Sequence, residues 1–542
     1  MPAPWHQTGI IYQIYPRSFA DSSGDGIGDL NGITGRLDYL ADLGVDAIWL
    51  SPIYPSPDVD FGYDVSDYCD VDPKYGSLAD FDHLVAQAHA RGIRVVLDLV
   101  LNHTSDQHPW FLESRSSRDN PKRDWYLWRD APNNWQSVFG GSGWEREEAS
   151  GQYYFHMFYK QQPDVNWHNP AVRQAMLDVF RFWLDRGVDG FRLDVFNVYF
   201  KCPDFTPNPP AFGLPLYGFS RQRHVNDCDR PELLDLLAEI RGLLDAYEAR
   251  DGRARYVVGE TFLSSAEKAA GYCGPRRLHA AFNFAFLSTA LRPHPILERI
   301  QHWEHALGGD CWPSYVFNNH DTPRSATRWK PRLFGDPEDD ARLKLAAVLL
   351  LTLRGTPYLY YGEEIGMRDI PIRSKAEVQD PIGRRFWPVM KGRDGCRSPM
   401  QWDASAHAGF APAGAWPWLP VHANARARSV QAQSADPRSL LNLYRRLIAL
   451  RRASPALTEG MFQPITYGTR YLLAYLRQTS EQTVLVALNF SGRRQRLVLG
   501  RHLSGCGWRL LHSTRRDALP PIRGSLLPLE PYEAVIIEMV QP

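Results

Sequence analysis

The sequence predicts an α/β fold: a (β/α)8 TIM barrel with an inserted loop-rich domain after the third strand and a C-terminal antiparallel β-sandwich domain. Three observations support it: eight short apolar runs, amphipathic stretches between them, and a change to short alternating segments near the C-terminus. Strands that alternate with helices form parallel sheets, and eight such units close into a barrel. A doubly wound open sheet is the alternative, although no GxGxxG motif follows the first run.

The eight apolar runs are the predicted barrel strands, at residues 10–15, 46–50, 93–101, 190–195, 256–259, 280–284, 315–318 and 357–360. Helical patterns lie between several of them, at residues 37–43, 79–90, 171–186 and 231–249. Insertions into a barrel fall on the loops after its strands, which form the active-site face. We therefore predict a barrel domain at 1–103 and 169–455 (with a subdomain at about 362–430), an inserted domain at 104–168 and a C-terminal β domain at 456–542.

Composition excludes several classes of partner. The 542 residues contain 61 Lys and Arg against 61 Asp and Glu, so the chain lacks the positive charge expected of a nucleic-acid-binding protein. The start has no basic segment followed by an apolar one, and no window approaches the roughly 20 apolar residues of a membrane span. Seven cysteines, an odd number without a CxxC pair, are typical of a reducing compartment. We expect a cytoplasmic protein with no nucleic-acid or membrane partner.

Polar and charged side chains cluster at the C-terminal ends of four predicted strands. They are Asp98, Asn102 and His103 at the third, Arg192 and Asp194 in the fourth, Glu260 at the fifth, and His320 and Asp321 after the seventh. A single Asp at such a place is more often a helix N-cap. Four clusters in succession on a barrel instead predict an active site, because barrel enzymes carry their catalytic groups at these strand ends.

These four segments resemble the signature of the α-amylase family of retaining glycoside hydrolases. Four further motifs narrow the resemblance to the oligo-1,6-glucosidase and α-glucosidase subgroup: IYPRSF at 14–19, FGYDV at 61–65, QPDVNW at 162–167 and RSPMQW at 397–402. The resemblance covers essentially the whole chain. It implies an exo-acting enzyme without an organic cofactor that removes terminal α-1,4- or α-1,6-linked glucose from short α-glucosides such as maltose, isomaltose and sucrose.

The resemblance also implies the catalytic roles. Asp194 matches the nucleophile, Glu260 the general acid/base, and Asp321 the carboxylate that holds two hydroxyls of the distorted sugar ring. A retaining mechanism needs its two reacting carboxyl groups about 5–5.5 Å apart. We expect burial and neighbouring carboxylates to raise the pKa of Glu260, and Arg192 to stabilise the negative charge of Asp194.

Further residues match the family's substrate contacts. His103 and His320 match residues that bind glucose hydroxyls, and Tyr63 matches the ring that stacks beneath the sugar. At the far end of the site, Asp60 matches the acidic partner of an ion pair that holds the terminal glucose. Its basic partner is Arg393 or Arg397, of which Arg393 is favoured. We expect the entrance to be lined by Phe139, Phe158 and Gln162.

A loop near the N-terminus predicts a structural Ca²⁺ site. Oxygen ligands recur at every second residue, from Asp21, Ser23, Asp25, Ile27 and Asp29, and intervening glycines permit a tight turn. Hard cations such as Ca²⁺ prefer such ligands. Related glucosidases bind Ca²⁺ here, usually with Asn in place of Ser23. A solvated acidic turn is the alternative.

Linkage preference and the balance between hydrolysis and glucosyl transfer stay open. Val195, directly after the nucleophile, is the residue type associated with α-1,6 preference, but residues 196–200 and 203–216 depart from the typical enzymes. The alternatives on the same fold are a sucrose isomerase, an α-glucosyl transferase and a trehalose-6-phosphate hydrolase, although no clear phosphate-binding cluster lies beside the site. A catalytically dead relative or a carbohydrate-binding module would not need all three carboxylates.

Overall fold

The computed structural model describes residues 3–212, 218–309, 311–329, 339–466, 469–500, 503, 506–519, 522 and 525–540. Residues 213–216 of the divergent stretch noted above therefore lie outside the described chain. Eight parallel strands form a nearly closed barrel, in chain order Ile11–Ile14, Ala47–Leu50, Arg94–Leu99, Gly190–Leu193, Tyr256–Gly259, Ala280–Ala281, Ser314–Val316 and Thr356–Tyr360. The predicted fold class is confirmed. These are the first to eighth barrel strands below.

The strand register determines which side chains share the active-site face. The hydrogen-bonded order runs from the seventh strand through the eighth and first to the sixth. In the parallel ladders Asp98 is opposite Arg192, and Leu193 is opposite Gly259. Asp194 and Glu260 each follow one of these opposed residues. The register therefore delivers the two carboxylates to the same end of the barrel.

Amphipathic helices surround the barrel and bury their apolar faces against it. The longer ones are Leu78–Ala90, Pro170–Asp185, Leu233–Asp251, Pro293–Leu307, Asp339–Thr352 and Leu440–Ala453. Shorter helices are Trp5–Thr8, Pro16–Phe19, Leu30–Thr34, Leu37–Leu43, Pro109–Ser116, Ala266–Gly271, Phe284–Leu287, Ser325–Arg328, Pro381–Phe386, Val430–Ser434 and Pro455–Thr458. In the described chain, no helix combines the length and the apolar character needed to cross a bilayer.

The segment between the third strand and its helix carries a small antiparallel sheet. Its strands are Trp128–Arg129, Trp144–Arg146 and Tyr153–Phe155. The fully buried Asp164 ties this segment to the loop after the fourth strand through an ion pair with Lys201, and its carboxylate also accepts from Asn102 at 3.0 Å. The segment is thus anchored beside the carboxyl ends of the barrel strands.

The C-terminal part of the chain is antiparallel, as expected. One sheet contains Met461–Pro464, Leu472–Gln478, Thr483–Asn489, Ala534–Val540 and Gly507–Ser513, and a second contains Gln495–Val498 and Leu526–Leu529. One apolar cluster draws buried side chains from both sheets, among them Leu485, Leu497 and Leu527. Alternating side chains of facing sheets produce such a core.

Candidate active site

A cavity of about 220 Å³ opens at the carboxyl ends of the barrel strands. Most of the predicted catalytic and substrate-binding residues line it: Asp60, Tyr63, His103, Phe139, Phe158, Gln162, Asp194, Glu260, His320, Asp321 and Arg393. Two of the predicted residues, Arg192 and Arg397, are not in the lining. They lie behind it, where they pair with its carboxylates.

A single buried guanidinium holds the carboxylates of the third, fourth and fifth strand ends together. Arg192 Nη1 lies 2.6 Å from Asp98 Oδ1 and 2.7 Å from Asp194 Oδ1, and Nη2 pairs with Glu260. Burial disfavours the charge of Arg192, but the three carboxylates outweigh it and raise its pKa. A buried cation with several anionic partners of this kind fixes geometry, because each partner would be costly to leave unpaired.

Two of these carboxyl groups bind protons more tightly than usual. Burial is the main cause that raises the pKa of Glu260 well above its ordinary value, and the charges of Asp194 and Asp321 add to it although Arg192 opposes it. Burial likewise raises the pKa of Asp98 to about 7. The direction of the shift at Glu260 is the one that favours a general acid, which must carry its proton before cleavage.

Asp321 has the opposite protonation behaviour. Burial would raise its pKa, but His320, Arg393 and Arg397 together lower it far below the ordinary range. The two arginines approach its Oδ1 at 3.3 and 2.9 Å. Burial lowers the pKa of His320 itself to about 3. Asp321 is thus an anion over the whole working range.

The far end of the cavity is closed by an ion pair. Arg393 Nη2 lies 2.6 Å from Asp60 Oδ1, and the same guanidinium contacts the fully buried Asp380 at 2.9 Å. Arg397 instead donates to the His320 carbonyl at 2.7 Å and to Asp321. Arg393 is therefore the partner of Asp60, and Asp380, which sequence reasoning missed, holds Arg393 from behind.

Tyr63 and three polar side chains form one wall. The Tyr63 ring stacks on His320, with centroids 5.2 Å apart and planes at 6°, and its hydroxyl donates to Asp98 Oδ2 at 3.1 Å. His103 Nε2 and the Gln162 amide donate to the Tyr63 carbonyl at 2.9 and 3.0 Å. The Tyr63 ring is thereby fixed, by its backbone and by its hydroxyl, beside the carboxylates.

The mouth of the cavity is apolar. We define the apolar collar as the lining residues Val138, Phe139, Phe158, Val195, Phe262 and Ile382. Val138, Phe262 and Ile382 were missed by sequence reasoning. The position of Phe262, two residues after Glu260, could have indicated it, whereas Val138 and Ile382 carry no signal that separates them from core residues.

The loop at 21–29 holds buried negative charge. Asp21 accepts from the amides of Gly24 and Gly26 at 2.6 and 2.8 Å, and Asp29 accepts from Ser22 and caps the helix Leu30–Thr34. Both carboxylates are 6% exposed, and no described Lys or Arg pairs with either. Two buried carboxylates without a cationic side-chain partner are compatible with a bound cation. The carboxylates of Asp21, Asp25 and Asp29 do not all converge within 4.8 Å in the described chain.

Two protein-family models match the chain. The model described as alpha amylase, catalytic domain, matches residues 13–460, and that described as maltogenic amylase, C-terminal domain, matches residues 462–536. Together they span the barrel, the inserted segment and the C-terminal sheets.

Known proteins similar to this chain include a probable alpha-glucosidase of Rhizobium meliloti (strain 1021), 46% identical over 90% of this chain and 89% of that protein. The oligo-1,6-glucosidase of Parageobacillus thermoglucosidasius is 39% identical over 100% of both chains. Among solved structures, an alpha-glucosyl transfer enzyme superposes with a TM-score of 0.90 and 41% identity, covering 99% of this chain and 100% of that one.

Proposed function

Because the chain belongs to the α-amylase family of glycoside hydrolases, we propose that Asp194, Glu260 and Asp321 carry the retaining cleavage of terminal α-glucosides. The enzyme is an exo-acting α-glucosidase that works on short oligosaccharides through a covalent glucosyl-enzyme. The observation that carries the assignment of roles is the gathering of the three carboxylates around one cavity. The ion pair of Asp60 and Arg393 closes the far end of that cavity.

The closed end explains exo action. A sugar chain cannot continue past Asp60 and Arg393, so only a terminal glucose can place its anomeric carbon near Asp194. In the bound state, Asp60, Arg393, His103 and His320 hold the hydroxyls of this glucose. The leaving sugar then lies in the apolar collar, outside the carboxylates.

Two displacements complete the reaction. Asp194 attacks the anomeric carbon while Glu260 gives its proton to the glycosidic oxygen, so the leaving sugar departs neutral and glucose becomes an ester of Asp194. Water then attacks the same carbon, Glu260 takes its proton, and α-glucose is released. Arg192 stabilises the Asp194 anion before attack and after release.

A time course tests this proposal. Maltose, isomaltose, sucrose and soluble starch are incubated with the enzyme, and the products and their anomers are resolved by NMR. We expect α-glucose to appear first, with starch nearly untouched, and the relative rates to establish linkage preference. An Asp194→Ala variant that folds yet turns over at near wild-type rate would overturn the mechanism. Initial release of β-glucose would overturn retention.

Glucosyl transfer is a second activity of the same site. Two observations favour transfer. The chain is similar to an alpha-glucosyl transfer enzyme, and a sugar acceptor can make more contact with the apolar collar than a water molecule can. New oligosaccharides, or isomerised sucrose, with little free glucose in the same NMR experiment would show that transfer dominates. Hydrolysis alone at high substrate concentration would exclude it.

We also propose a structural Ca²⁺ ion at the loop 21–29. The buried charge of Asp21 and Asp29 supports it, and Ser23, Asp25 and the Ile27 carbonyl are the further oxygen ligands. Bound there, the ion would neutralise the loop far from the reacting carbon and would stabilise the turn before the barrel's first helix. A cytoplasmic location is proposed as well, on the odd count of seven cysteines.

A further inference from the structure

The side-chain amide of Asn197 makes two hydrogen bonds with the backbone of Phe262, in the pattern of a β-sheet pair. Its Oδ1 accepts from the Phe262 amide at 2.7 Å, and its Nδ2 donates to the Phe262 carbonyl at 2.8 Å. Asn197 is 1% exposed and lies three residues after Asp194, whereas Phe262 lies two residues after Glu260. One amide thus joins the loop that follows the proposed nucleophile to the loop that follows the proposed acid.

A second side chain holds this amide in place. Asp229 Oδ1 accepts from Asn197 Nδ2 at 2.9 Å, and the Asp229 amide donates to the Asn197 carbonyl at 2.7 Å. The same carboxylate accepts from Ser264, Lys268 and Tyr272 at 2.9–3.0 Å. A flip of the Asn197 side-chain amide would exchange the positions of its oxygen and its nitrogen. The Asp229 carboxylate accepts only from the nitrogen, so it determines that Nδ2, and not Oδ1, faces the Phe262 carbonyl.

The segments that meet here have strained backbones. Val195, Asp229 and Leu263 have φ of 34°, 53° and 56°, in the left-handed region that side chains other than glycine rarely adopt. The strain is greatest for Val195, because it is β-branched. Such conformations persist only where surrounding contacts hold them. Asn197 and Asp229 supply the side-chain hydrogen bonds that join the segments carrying these turns.

The ring of Phe262 is the part of this assembly that meets substrate. It lines the cavity mouth, with its centroid 6.3 Å from that of Phe158 and 5.9 Å from that of Phe219. Phe262 is only half-buried, so neighbouring rings alone do not fix its place. Its backbone, clamped by Asn197, determines where the ring stands.

We propose that Asn197, oriented by Asp229, is a positioning residue that fixes Phe262 in the apolar collar and thereby sets the affinity for the leaving sugar and for the acceptor that replaces it. This inference rests on the proposed function, because it assigns the collar to the sugar that departs. Asn197 is not among the residues that line the cavity, so we expect glucose binding at the closed end to be independent of it.

The test compares two binding regions of the same enzyme. In Asn197→Ala, we expect KM for maltose and isomaltose to rise about tenfold, which corresponds to about 1.4 kcal/mol of lost binding free energy. The fraction of glucose transferred to added maltose should fall. Inhibition by 1-deoxynojirimycin, a glucose-shaped molecule for the closed end, should be unchanged. Equal weakening of the inhibitor and both disaccharides would overturn the proposal, as would an unchanged KM.

A matched control separates positioning from general stability. Asn489 is a fully buried asparagine in the C-terminal sheet, and its Nδ2 bridges the carbonyls of Arg493 and Glu530 at 2.8 and 2.7 Å. Asn489→Ala should lower the melting temperature while KM and the transfer ratio stay at wild-type values. A change of the transfer ratio in this variant equal to that of Asn197→Ala would overturn the proposal.

A nearly isosteric variant keeps the proposal falsifiable if Asn197→Ala does not fold. Asn197→Asp still accepts from the Phe262 amide, but it cannot donate to the Phe262 carbonyl, and it places a second carboxylate against Asp229. We expect KM for the disaccharides to rise and inhibition by 1-deoxynojirimycin to stay unchanged. An unchanged KM in the folded Asn197→Asp protein would overturn the inference. Absence of cleavage of maltose, isomaltose and sucrose alike by the wild-type enzyme would instead overturn the proposed function.

Discussion

Arg393 and Asp60 lie on segments more than 300 residues apart, and their side chains meet at 2.6 Å at the closed end of the cavity. Arg393 belongs to the segment after the eighth strand and Asp60 to the loop after the second. Because both also line the cavity, the pair links two distant segments at the proposed glucose site.

Removal of the acidic partner should damage function more than folding. In Asp60→Ala, we expect kcat/KM for maltose to fall by about 10- to 100-fold, the loss typical of a charged hydrogen bond. Arg393 keeps Asp380 at 2.9 Å, so the melting temperature should fall little. Asp58→Ala is the control, since Asp58 pairs with Lys74 at 2.9 Å but does not line the cavity. Similar kinetic losses in both variants would contradict the assignment.

The proposed acid should matter most for poor leaving groups. In Glu260→Gln, we expect kcat/KM for maltose to fall by about 10²–10⁴-fold, the range of general acid catalysis, because the leaving sugar must be protonated. The first step with 4-nitrophenyl α-glucoside, measured as a pre-steady-state burst, should slow far less, since nitrophenolate departs without a proton. Equal loss on both substrates would assign the proton to another residue.

The pH profile should report the raised pKa of Glu260. Glu260 acts in its protonated form, and its pKa lies well above the ordinary value through burial. Activity on maltose should therefore persist to higher pH than an ordinary glutamic acid would allow, and be lost as pH rises through this pKa. In Glu260→Gln, the alkaline limb of kcat/KM should disappear. A limb of unchanged midpoint in that variant would refute the assignment.

His108 should make the free energy of unfolding depend on pH in the acid range. Burial lowers its pKa to about 3, and its Nδ1 accepts from the Trp110 amide, which a doubly protonated ring cannot do. In the unfolded chain, the His108 imidazole is protonated below about pH 6.5, whereas in the folded chain it stays neutral down to about pH 3. The contribution of His108 to the free energy of unfolding is therefore fully present above pH 6.5 and is lost as the pH falls towards 3. The Asn side chain in His108→Asn can still accept the hydrogen bond at the start of the helix Pro109–Ser116. In this variant, the number of protons taken up on unfolding in urea at pH 5 should be lower by about one. Unchanged uptake would contradict the lowered pKa.

Metal removal tests the loop at 21–29. We expect EDTA to lower the melting temperature and millimolar Ca²⁺ to restore it, because Asp21 and Asp29 carry buried negative charge. Asp21→Ala should abolish the response, whereas Asp119→Ala, at an exposed acid elsewhere, should keep it. If EDTA and Ca²⁺ change neither the activity nor the melting temperature of the wild-type enzyme, the proposed Ca²⁺ site is wrong, and the loop is a turn stabilised by its own amides.

Most of the barrel could be predicted because burial of parallel strands leaves continuous apolar runs. The sixth strand is the clearest difference: residues 280–284 were predicted, but the strand ends at Ala281. Asn283 instead accepts from the Phe286 amide at 3.2 Å and caps the short helix Phe284–Leu287. Aromatic residues favour strands and buried short helices alike, so their pattern could not separate the two.

Site residues that belong to sequence motifs could be predicted, whereas those brought to the site only by the packing of a loop could not. Arg393 and Arg397 lie four residues apart, and both reach Asp321, but only Arg393 contacts Asp60, which the sequence could not decide. Asp380 and Ile382 lie in a segment without a motif, and their place depends on how that long loop folds over the barrel. Neighbours brought together by such a loop have no signature in one sequence.

In the proposed mechanism, the cation shared by Asp194 and Glu260 makes the site self-resetting. Before cleavage, the Asp194 anion helps burial to hold the proton on Glu260. Glu260 gives this proton to the leaving sugar as Asp194 is esterified. The Asp194 anion is then gone while Arg192 stays beside Glu260, so the carboxylate remains deprotonated as the base that the arriving water needs. Hydrolysis of the ester restores the anion and with it the acid, so the proton affinity of Glu260 would change in step with the sugar's covalent state.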